Sequence, residues 1–396
     1  MTRSLTLFAL ALGLAASGQA QQQVEEIVLT TAVPFLQIEP DSRASGMGMA
    51  GVAVADNAYA PFWNPAGLAG QEGTEVSFTH APWLPALGAN LSYEHLSAKH
   101  GLGKAGTVGG HLTYFDLGTQ TATDETGFEL GTFSSYEFAL GLSYGYPVTE
   151  NLAVGTGARF IYSNLTGGTD VAGASTSAGT SVGVDLGVKY TAPDLGFGQS
   201  SRPTFAFNLA NMGPGISYVD STPGDTVLNA PDAIPTTLRF GAALDTQLDD
   251  FNRVLLAVDL NKIIVNRDAT TGEYDPFYEA LFTSWQSRLV KTTVQAGTTC
   301  DELAADENAD NDCRNISGLR SLTLGTGLEY WYNELLALRA GYFYEDPANG
   351  NRQFLTFGTG IRYSLVGVDI SYIYALQENS PLADQLRFSL LLNIPR

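Results

Sequence analysis

The two cysteines are the residues with the most definite chemistry in this chain of 396 residues. Cys300 and Cys313 both lie in residues 262–318, the longest stretch that lacks a strand-like pattern. Disulfides persist in oxidising surroundings, and the alternation of long and short connections along the chain places this stretch outside the cell. We therefore predict a Cys300–Cys313 disulfide, which would contribute about 3 kcal/mol in the chain-entropy model. Two free thiols in mass spectrometry without reductant would refute the pairing.

Oxygen-bearing side chains alternate between these cysteines. Asp306, Asn308, Asp310 and Asp312 have the spacing with which a calcium-binding loop begins. The sixth position of such a loop is normally glycine but here is Asn311, and no glutamate follows at the twelfth position. The sequence therefore favours a solvated acidic loop, with a calcium site as the alternative, and no other cofactor is expected.

The remaining candidate groups do not form a recognisable catalytic motif. The four histidines lie in or beside the early strands, without cysteines or carboxylates at a metal-ligand spacing: His80, His95, His100 and His111. The chain has no credible Gly-x-Ser-x-Gly elbow or phosphate-binding loop. We therefore predict that the protein is not an enzyme.

The N-terminus predicts export from the cytoplasm. Residues 1–20 combine Arg3, an apolar run and the small residues Gly18 and Ala20, which is the pattern of a secretory signal. No later run approaches the ~20 apolar residues that a membrane-spanning helix needs. The net charge of −21 argues against nucleic acid as a partner. It fits either an acidic exterior or adaptation to salt.

Short segments with alternating polarity follow one another from Gly73 onward. In the last of them, Leu386, Phe388 and Leu390 alternate with Arg387 and Ser389, so one face of the strand is apolar. Frequent glycine and aromatic residues also fit many short strands with aromatic belts. Fourteen strands are predicted: Thr74–Pro82, Ala89–Lys99, Ala105–Phe115, Tyr136–Pro147, Leu152–Ser163, Thr180–Tyr190, Thr204–Leu209, Thr237–Leu248, Arg253–Asn261, Leu319–Tyr332, Leu335–Glu345, Gln353–Ser364, Val366–Ala375 and Gln385–Asn393.

The lengths of the connections indicate what the apolar faces contact. Odd-numbered connections are mostly long and even-numbered ones mostly short, and among the even-numbered ones only residues 191–203 break this rule. Outer-membrane barrels combine short periplasmic turns, long external loops and an even strand count, whereas a soluble sandwich has no reason to sort its loops this way. The sequence therefore predicts an all-β fold, a 14-stranded antiparallel transmembrane outer-membrane β-barrel over residues 73–396. Residues 262–318 are its long external loop, and outer-membrane lipid contacts its apolar face.

Charged residues fall on the less apolar face of the predicted strands, where a barrel lumen would hold them. Mutual pairing that stiffens the wall is the favoured interpretation, and direct ligand binding is the alternative. These residues are Arg159, Asp185, Lys189, Arg239, Arg253, Asp259, Glu329, Arg339, Arg362 and Arg387.

Two segments do not alternate. Residues 21–72 are rich in small residues and contain the turn signal Asn64-Pro65, so we predict a plug packed inside the barrel. Residues Pro276 to Lys291 carry an apolar stripe with helical spacing, which includes Phe277, Phe282 and Trp285. Packing over the barrel mouth is one interpretation of this helix, and a partner-binding surface is the other.

The ordered motifs closely resemble those of the PorV family, the outer-membrane component of the type IX secretion system of Bacteroidota. In the N-terminal segment the matches include Pro34-Phe35-Leu36, Pro40-Asp41, Arg43-Ala44, Gly46-Met47-Gly48 and Trp63-Asn64-Pro65-Ala66. Others lie along nearly the whole mature chain: Pro82-Trp83-Leu84, Leu238-Arg239, Asp259-Leu260-Asn261-Lys262, Glu329-Tyr330-Trp331-Tyr332-Asn333, residues 337–345, Gly350-Asn351-Arg352 and residues 386–390.

This resemblance implies a function for the chain. PorV-like proteins are relatives of the FadL transporters. They collect cargo proteins by their C-terminal signal domain at the translocon and pass them to a sortase-containing attachment complex at the surface. The resemblance thus implies a non-enzymatic cargo shuttle. A FadL-like passive transporter of hydrophobic small molecules is the alternative, and a purely structural barrel is a third possibility.

Overall fold

The computed structural model describes residues 31–87, 90–123, 126–168, 176–218, 231–267, 273–286, 288–291, 313–378 and 380–395. For residues 288–291 and 313–316 it describes the backbone alone. The predicted signal at residues 1–20, Cys300 and the acidic residues 306–312 lie outside the described residues. The disulfide and the calcium site therefore stay predictions.

Fourteen strands form a closed antiparallel barrel, as the alternating pattern predicted. Each barrel strand pairs with the next barrel strand along the chain, and the first strand closes the barrel on the last. The barrel strands are β1 Thr74–Trp83, β2 Leu91–Gly101, β3 Thr107–Thr123, β4 Glu129–Pro147, β5 Leu152–Asn164, β6 Gly179–Thr191, β7 Ser200–Met212, β8 Thr237–Gln247, β9 Asn252–Ile263, β12 Leu322–Tyr332, β13 Leu336–Glu345, β14 Gln353–Tyr363, β15 Val366–Ala375 and β16 Leu386–Ile394.

The two faces of each strand differ as the alternation requires. In β16, Phe388 and Leu390 are about half exposed on the outer face, whereas Arg387 and Ser389 are buried inside. The same division holds around the barrel. The outward-facing leucine, valine and phenylalanine side chains are exposed, and no described part of the protein packs over them. Lipid is the environment in which such an apolar outer band is stable.

Strands β3 and β4 extend further than the sequence indicated. The stretch 116–135 was predicted to be a connection, but most of it pairs as a hairpin, with a register shift between Asp116 and Thr119. This part of the hairpin has polar residues on both faces. It therefore lacks the alternation of apolar and polar residues from which the strands were predicted. Strand β7 is likewise longer than predicted at both ends.

Four short helical segments shape the N-terminal segment, residues 31–72. They are the 3₁₀ turn Pro34–Gln37, helix α1 Ser42–Ser45, helix α2 Ala60–Trp63 and the 3₁₀ turn Pro65–Leu68. Most of their side chains are buried, and their contacts reach inward-facing residues of strands all around the barrel. The segment therefore lies within the barrel.

Glycines in the wall permit this close approach. A Cβ atom on Gly155 would lie 2.2 Å from the backbone nitrogen of Ala66, and one on Gly187 would lie 2.1 Å from Oδ1 of Asn64. A real Cβ atom does not fit at such distances, so the strand glycines make room for the Asn64-Pro65 turn.

The connection between β9 and β12 has structure of its own. Helix α3 spans Phe277–Thr283, and strand β10, Arg288–Lys291, pairs with strand β11, Cys313–Ile316. The predicted helix up to Lys291 is wrong in its last turns, because pairing with a distant segment overrides the local periodicity there. Further 3₁₀ turns are Pro85–Leu87, Gly103–Ala105, Gly318–Ser321 and Pro347–Asn349. None of the helices in the described parts of the chain is long and apolar enough to cross a membrane.

We call the barrel end that carries the connection between β9 and β12 the outer end. The connections from β1 to β2, from β13 to β14 and from β15 to β16 also lie there, and the turns at the opposite, inner end include 102–106, 148–151 and 333–335. From the usual arrangement of outer-membrane barrels, we expect the outer end to face the cell surface.

Candidate functional site

Asp41 organises the N-terminal segment from within. It is the N-cap of helix α1, where Oδ2 accepts a hydrogen bond of 2.8 Å from the backbone nitrogen of Ala44. Its other oxygen accepts a bond of 2.7 Å from Nε1 of Trp63 in helix α2. Burial raises the pKa of the Asp41 carboxyl, against the effect of these two bonds. One side chain thus holds the two helices in a fixed relation.

Arg43 ties the segment to the barrel wall. Its Nε and Nη2 atoms donate to the carboxylate of Glu329 in β12, over 2.9 and 2.8 Å, and both side chains are buried. Its Nη1 atom donates to Asp56 over 2.5 Å. A two-pronged arginine–carboxylate contact of this kind fixes orientation as well as position.

Glu329 also belongs to a chain of ion pairs along the wall. It accepts a bond of 2.6 Å from Arg339, which donates over 2.7 Å to Asp369. Asp369 in turn pairs with Arg362 over 2.6 Å. Glu329, Arg339 and Arg362 therefore belong to one network of paired charges, as predicted, and Arg43 joins the N-terminal segment to it; that the network stiffens the wall stays a prediction.

Asp259 holds a second point of the N-terminal segment. Its Oδ2 atom accepts bonds from the backbone nitrogens of Gly51 and Val52, over 2.6 and 2.8 Å. On the neighbouring strand, Arg239 donates to the carbonyl of Phe62 over 2.7 Å and lies 4.9 Å from the centre of its ring. Side chains of strands β8 and β9 therefore hold the segment through hydrogen bonds to its backbone.

Asn64 serves as a third attachment. Its Oδ1 atom caps the following turn at Ala66, and its Nδ2 atom donates to the carbonyls of Val188 and Phe207. The predicted plug residues all lie in this interior segment: Pro34, Phe35, Asp41, Arg43, Gly46, Gly48, Asn64 and Pro65. That the segment acts as a plug, blocking passage, stays a prediction.

The barrel residues that hold the segment were not predicted as its partners. Glu329, Asp259 and Arg239 belonged to the charged set assigned to the lumen, but no local pattern pairs them with Arg43, Gly51 or Phe62. The signal that could have indicated this role was the presence of charges on the face opposite the lipid.

A cavity of about 490 Å³ lies at the outer end, above the N-terminal segment. Its wall is largely apolar and includes Phe35, Trp83, Phe115 and Phe354. Three charged residues also line it: Glu39, Glu345 and Arg352. A cavity with this lining can bind an apolar side chain or small molecule with a polar group beside it.

The charges at this cavity are partly compensated. Arg352 pairs with Glu345 over 2.5 Å. Glu39 has Arg387 at 3.6 Å, and burial raises the pKa of the Glu39 carboxyl against the effect of Arg387 and of the more weakly acting Arg352 and Arg239. The polar part of the cavity therefore contains one tightly paired and one loosely paired carboxylate.

The three residues predicted for partner binding lie at the outer end and differ in exposure. Phe282 in helix α3 is 78% exposed. Trp285 is partly buried, since Nε1 donates to the carbonyl of Leu281 and its ring lies 4.9 Å from Nζ of Lys262. Phe277 is also partly buried. Only Phe282 thus has the exposure expected of a contact residue, and the role stays a prediction.

Across the described ranges, no group of three or more histidine, cysteine or acidic side chains is arranged to hold a metal ion. The histidines His95 and His111 lie in the interior with stacked rings, 5.5 Å between centres. His95 also packs against Tyr93 and Tyr59 in the barrel interior.

Several solved structures are similar to this chain. They include the Ralstonia pickettii toluene transporter TbuX, with 16% identity, 90% of this chain and 98% of that chain covered, and a TM-score of 0.46. The Pseudomonas putida toluene transporter TodX has 15% identity, coverages of 89% and 96%, and a TM-score of 0.46. The CymD monoaromatic hydrocarbon channel has 17% identity, coverages of 90% and 97%, and a TM-score of 0.48. Likeness at this level transfers no ligand to this chain.

The family comparison is more specific. No curated protein matches the chain. The model of the family described as "Type IX secretion system protein PorV" matches residues 19–270, more than half of the sequence. The match includes the N-terminal segment and the first nine strands, which contain Asp41, Arg43, Asn64 and Asp259. The chain therefore belongs to the PorV family of type IX secretion system proteins, and it is a component of the outer membrane.

Proposed function

We propose that this protein binds the C-terminal signal domains of secreted cargo proteins at its outer end. It then passes them from the type IX translocon to the attachment complex at the cell surface. Membership of the PorV family supports a role in type IX secretion. The translocon and the sortase-containing attachment complex are its proposed protein partners, and it performs no catalysis.

The anchored N-terminal segment is the observation that supports this proposal most. Arg43, Asn64 and the backbone at Gly51 and Val52 are held to the wall by buried partners. Removing one partner from a buried ion pair typically costs about 3–5 kcal/mol, because the other charge is left uncompensated. A segment held in this way favours binding at the barrel's end over passage through its interior.

Deleting the gene tests the proposal. We expect cargo proteins to accumulate in the periplasm, measured by cell fractionation and by the accessibility of cargo to added protease. Re-expression of the intact chain should restore surface display, and a chain carrying Lys104→Ala in an exposed turn of the inner end should restore it equally. Normal surface display in the deletion strain would contradict the shuttle.

A second candidate function is passive transport of hydrophobic small molecules, and the apolar cavity of about 490 Å³ at the outer end favours it. A transporter must displace the N-terminal segment, so Arg43→Ala should increase uptake of a hydrophobic tracer into cells. The shuttle predicts unchanged uptake. Native mass spectrometry adds a second comparison, because a transporter should retain lipid or detergent, a shuttle should retain cargo, and a purely structural barrel should retain neither.

A further inference from the structure

Beyond the barrel wall, strands β3 and β4 continue as a two-stranded ribbon. The pairing of β3 with β2 ends at Asp116, and the pairing of β4 with β5 begins at Tyr136. Between these points Thr119–Thr123 pairs only with the stretch from Glu129 to Ser134. Nearly all described side chains of this ribbon are exposed or half-exposed. It therefore extends past the outer end without a core of its own.

The two edges of the ribbon differ. Along β4, the connection after β5 covers the base: the Ser135 hydroxyl donates to the carbonyl of Leu165, and Gly167 lies against Phe133. Along β3, no described residue pairs with Thr119–Thr123 on the side away from β4. Within the described part of the chain, backbone N–H and C=O groups on that side are therefore left for pairing with another strand.

The open edge lacks the usual protection. Natural proteins guard exposed edges with lysine, proline or inward-pointing charges. The five residues of this edge are Thr119, Gln120, Thr121, Ala122 and Thr123, all neutral, and threonine favours strands. Five residues extend about 16 Å, the usual length of one added strand. A two-stranded ribbon without a core is marginally stable in water, and an added strand would stabilise it.

We propose that the open edge of Thr119–Thr123 binds an extended, basic segment of the cargo's C-terminal signal domain by strand addition. This inference rests on the proposed function and names the surface and chemistry of that contact. An extended chain is the ligand that satisfies a row of open backbone groups. A basic segment is favoured because half-exposed Asp116 precedes the edge, exposed Glu129 lies opposite Thr123 on β4, and the whole chain carries a net charge of −21. The same net charge disfavours a second copy of this chain.

Hydrogen exchange tests the contact at the backbone. The probe is the purified C-terminal signal domain of a cargo protein from the same organism, added to the full-length protein in detergent. We expect the amides of Thr119–Thr123 to exchange more slowly in the complex than in the free protein. A complex that protects other residues and leaves these amides unchanged would overturn the inference while the proposed function stands.

A matched pair of substitutions tests the charge. Thr121→Lys adds a positive charge to the edge and should weaken binding of the probe about fivefold or more, whereas Thr121→Glu should preserve or strengthen it. Thermal midpoints of both variants should equal that of the parent barrel, because residue 121 contacts no part of the barrel core. Equal affinities for both variants, or dimers of this chain through the ribbon, would overturn the inference. A parent protein that does not bind the probe at all would overturn the proposed function as well.

Discussion

At the scale of single residues, the contact between Arg43 and Glu329 joins the interior segment to the barrel wall. The two residues are 286 positions apart and both are buried. The sequence placed Arg43 in the interior segment and Glu329 on the inner face of a strand, and both placements agree with the structure. Their pairing could not be predicted, because it depends on where the segment lies inside the barrel.

Breaking this pair should destabilise the folded barrel strongly. Glu329→Gln leaves the Arg43 and Arg339 guanidinium groups without their shared carboxylate, and we expect a loss of about 3–5 kcal/mol in the free energy of unfolding. The measurement is denaturant unfolding in detergent, and the heat-dependent gel mobility of folded barrels reports the folded fraction. Arg320→Ala is the control, because its pair with Asp346 is half-exposed and should contribute less than about 1 kcal/mol. Similar losses of unfolding free energy in both variants would show that a buried ion pair stabilises this barrel no more than a half-exposed one.

At the scale of elements, strands with one lipid-covered face were predictable and polar extensions were not. All fourteen strands were located, since their outer faces are apolar. The continuation of β3 and β4 beyond Asp116 was missed because neither face of the ribbon is buried. Helix α3 was found but made too long, because the strand pairing of Arg288–Lys291 with Cys313–Ile316 depends on residues far along the chain.

The turn between β6 and β7 offers a prediction about pH. Asp194 accepts bonds from the backbone nitrogens of Gly196 and Ser201, and these bonds hold the pKa of the Asp194 carboxyl below its usual value. A lowered pKa stabilises the folded turn above the usual aspartate value of about 3.9, and this contribution disappears as the pH falls through the lowered pKa.

We therefore expect Asp194→Asn to lower the thermal midpoint slightly at neutral pH. The difference from the parent should shrink as the pH falls below about 4. Thermal unfolding of both proteins in detergent across this range measures the difference. A difference that grows on acidification would contradict the assignment of the two bonds to the ionised carboxylate.

At the scale of the whole molecule, the outer band of the barrel requires hydrocarbon around it. Leu140 in β4 is 54% exposed and lies between the outward-facing residues Leu112 and Phe160 of the two adjacent strands. Repeated around fourteen strands, such side chains form a surface that water does not solvate well. The purified protein should therefore aggregate in buffer without detergent, and a monodisperse sample there would contradict the membrane assignment.

A charge in this band should cost stability according to its depth. Leu140→Arg lies near the middle of the wall and should disfavour folding into lipid vesicles by about 2–4 kcal/mol. Val148→Arg, in the turn that follows β4, should cost no more than about 1 kcal/mol. Folding equilibria in vesicles of defined lipid compare the two variants. Equal costs would mean that the outer face of β4 does not contact the hydrocarbon.

The sequence by itself determined the barrel. Period-two alternation, such as Leu386, Phe388 and Leu390 against Arg387 and Ser389, reports which side chains face lipid, because every strand of the wall meets the same two environments. Connection lengths supplied the rest, since short turns and long loops lie at opposite ends. These are local features, and local features can be read without knowing which strands meet.

Only the tertiary structure decided what fills the barrel and what extends from it. The partners of Arg43, Gly51 and Asn64 lie on strands that are distant in sequence and converge only when the barrel closes. The open edge of Thr119–Thr123 likewise exists only because β2 ends its pairing at Asp116 while β3 continues. Which residues form these contacts depends on the geometry of the closed barrel, and no single stretch of the sequence specifies that geometry.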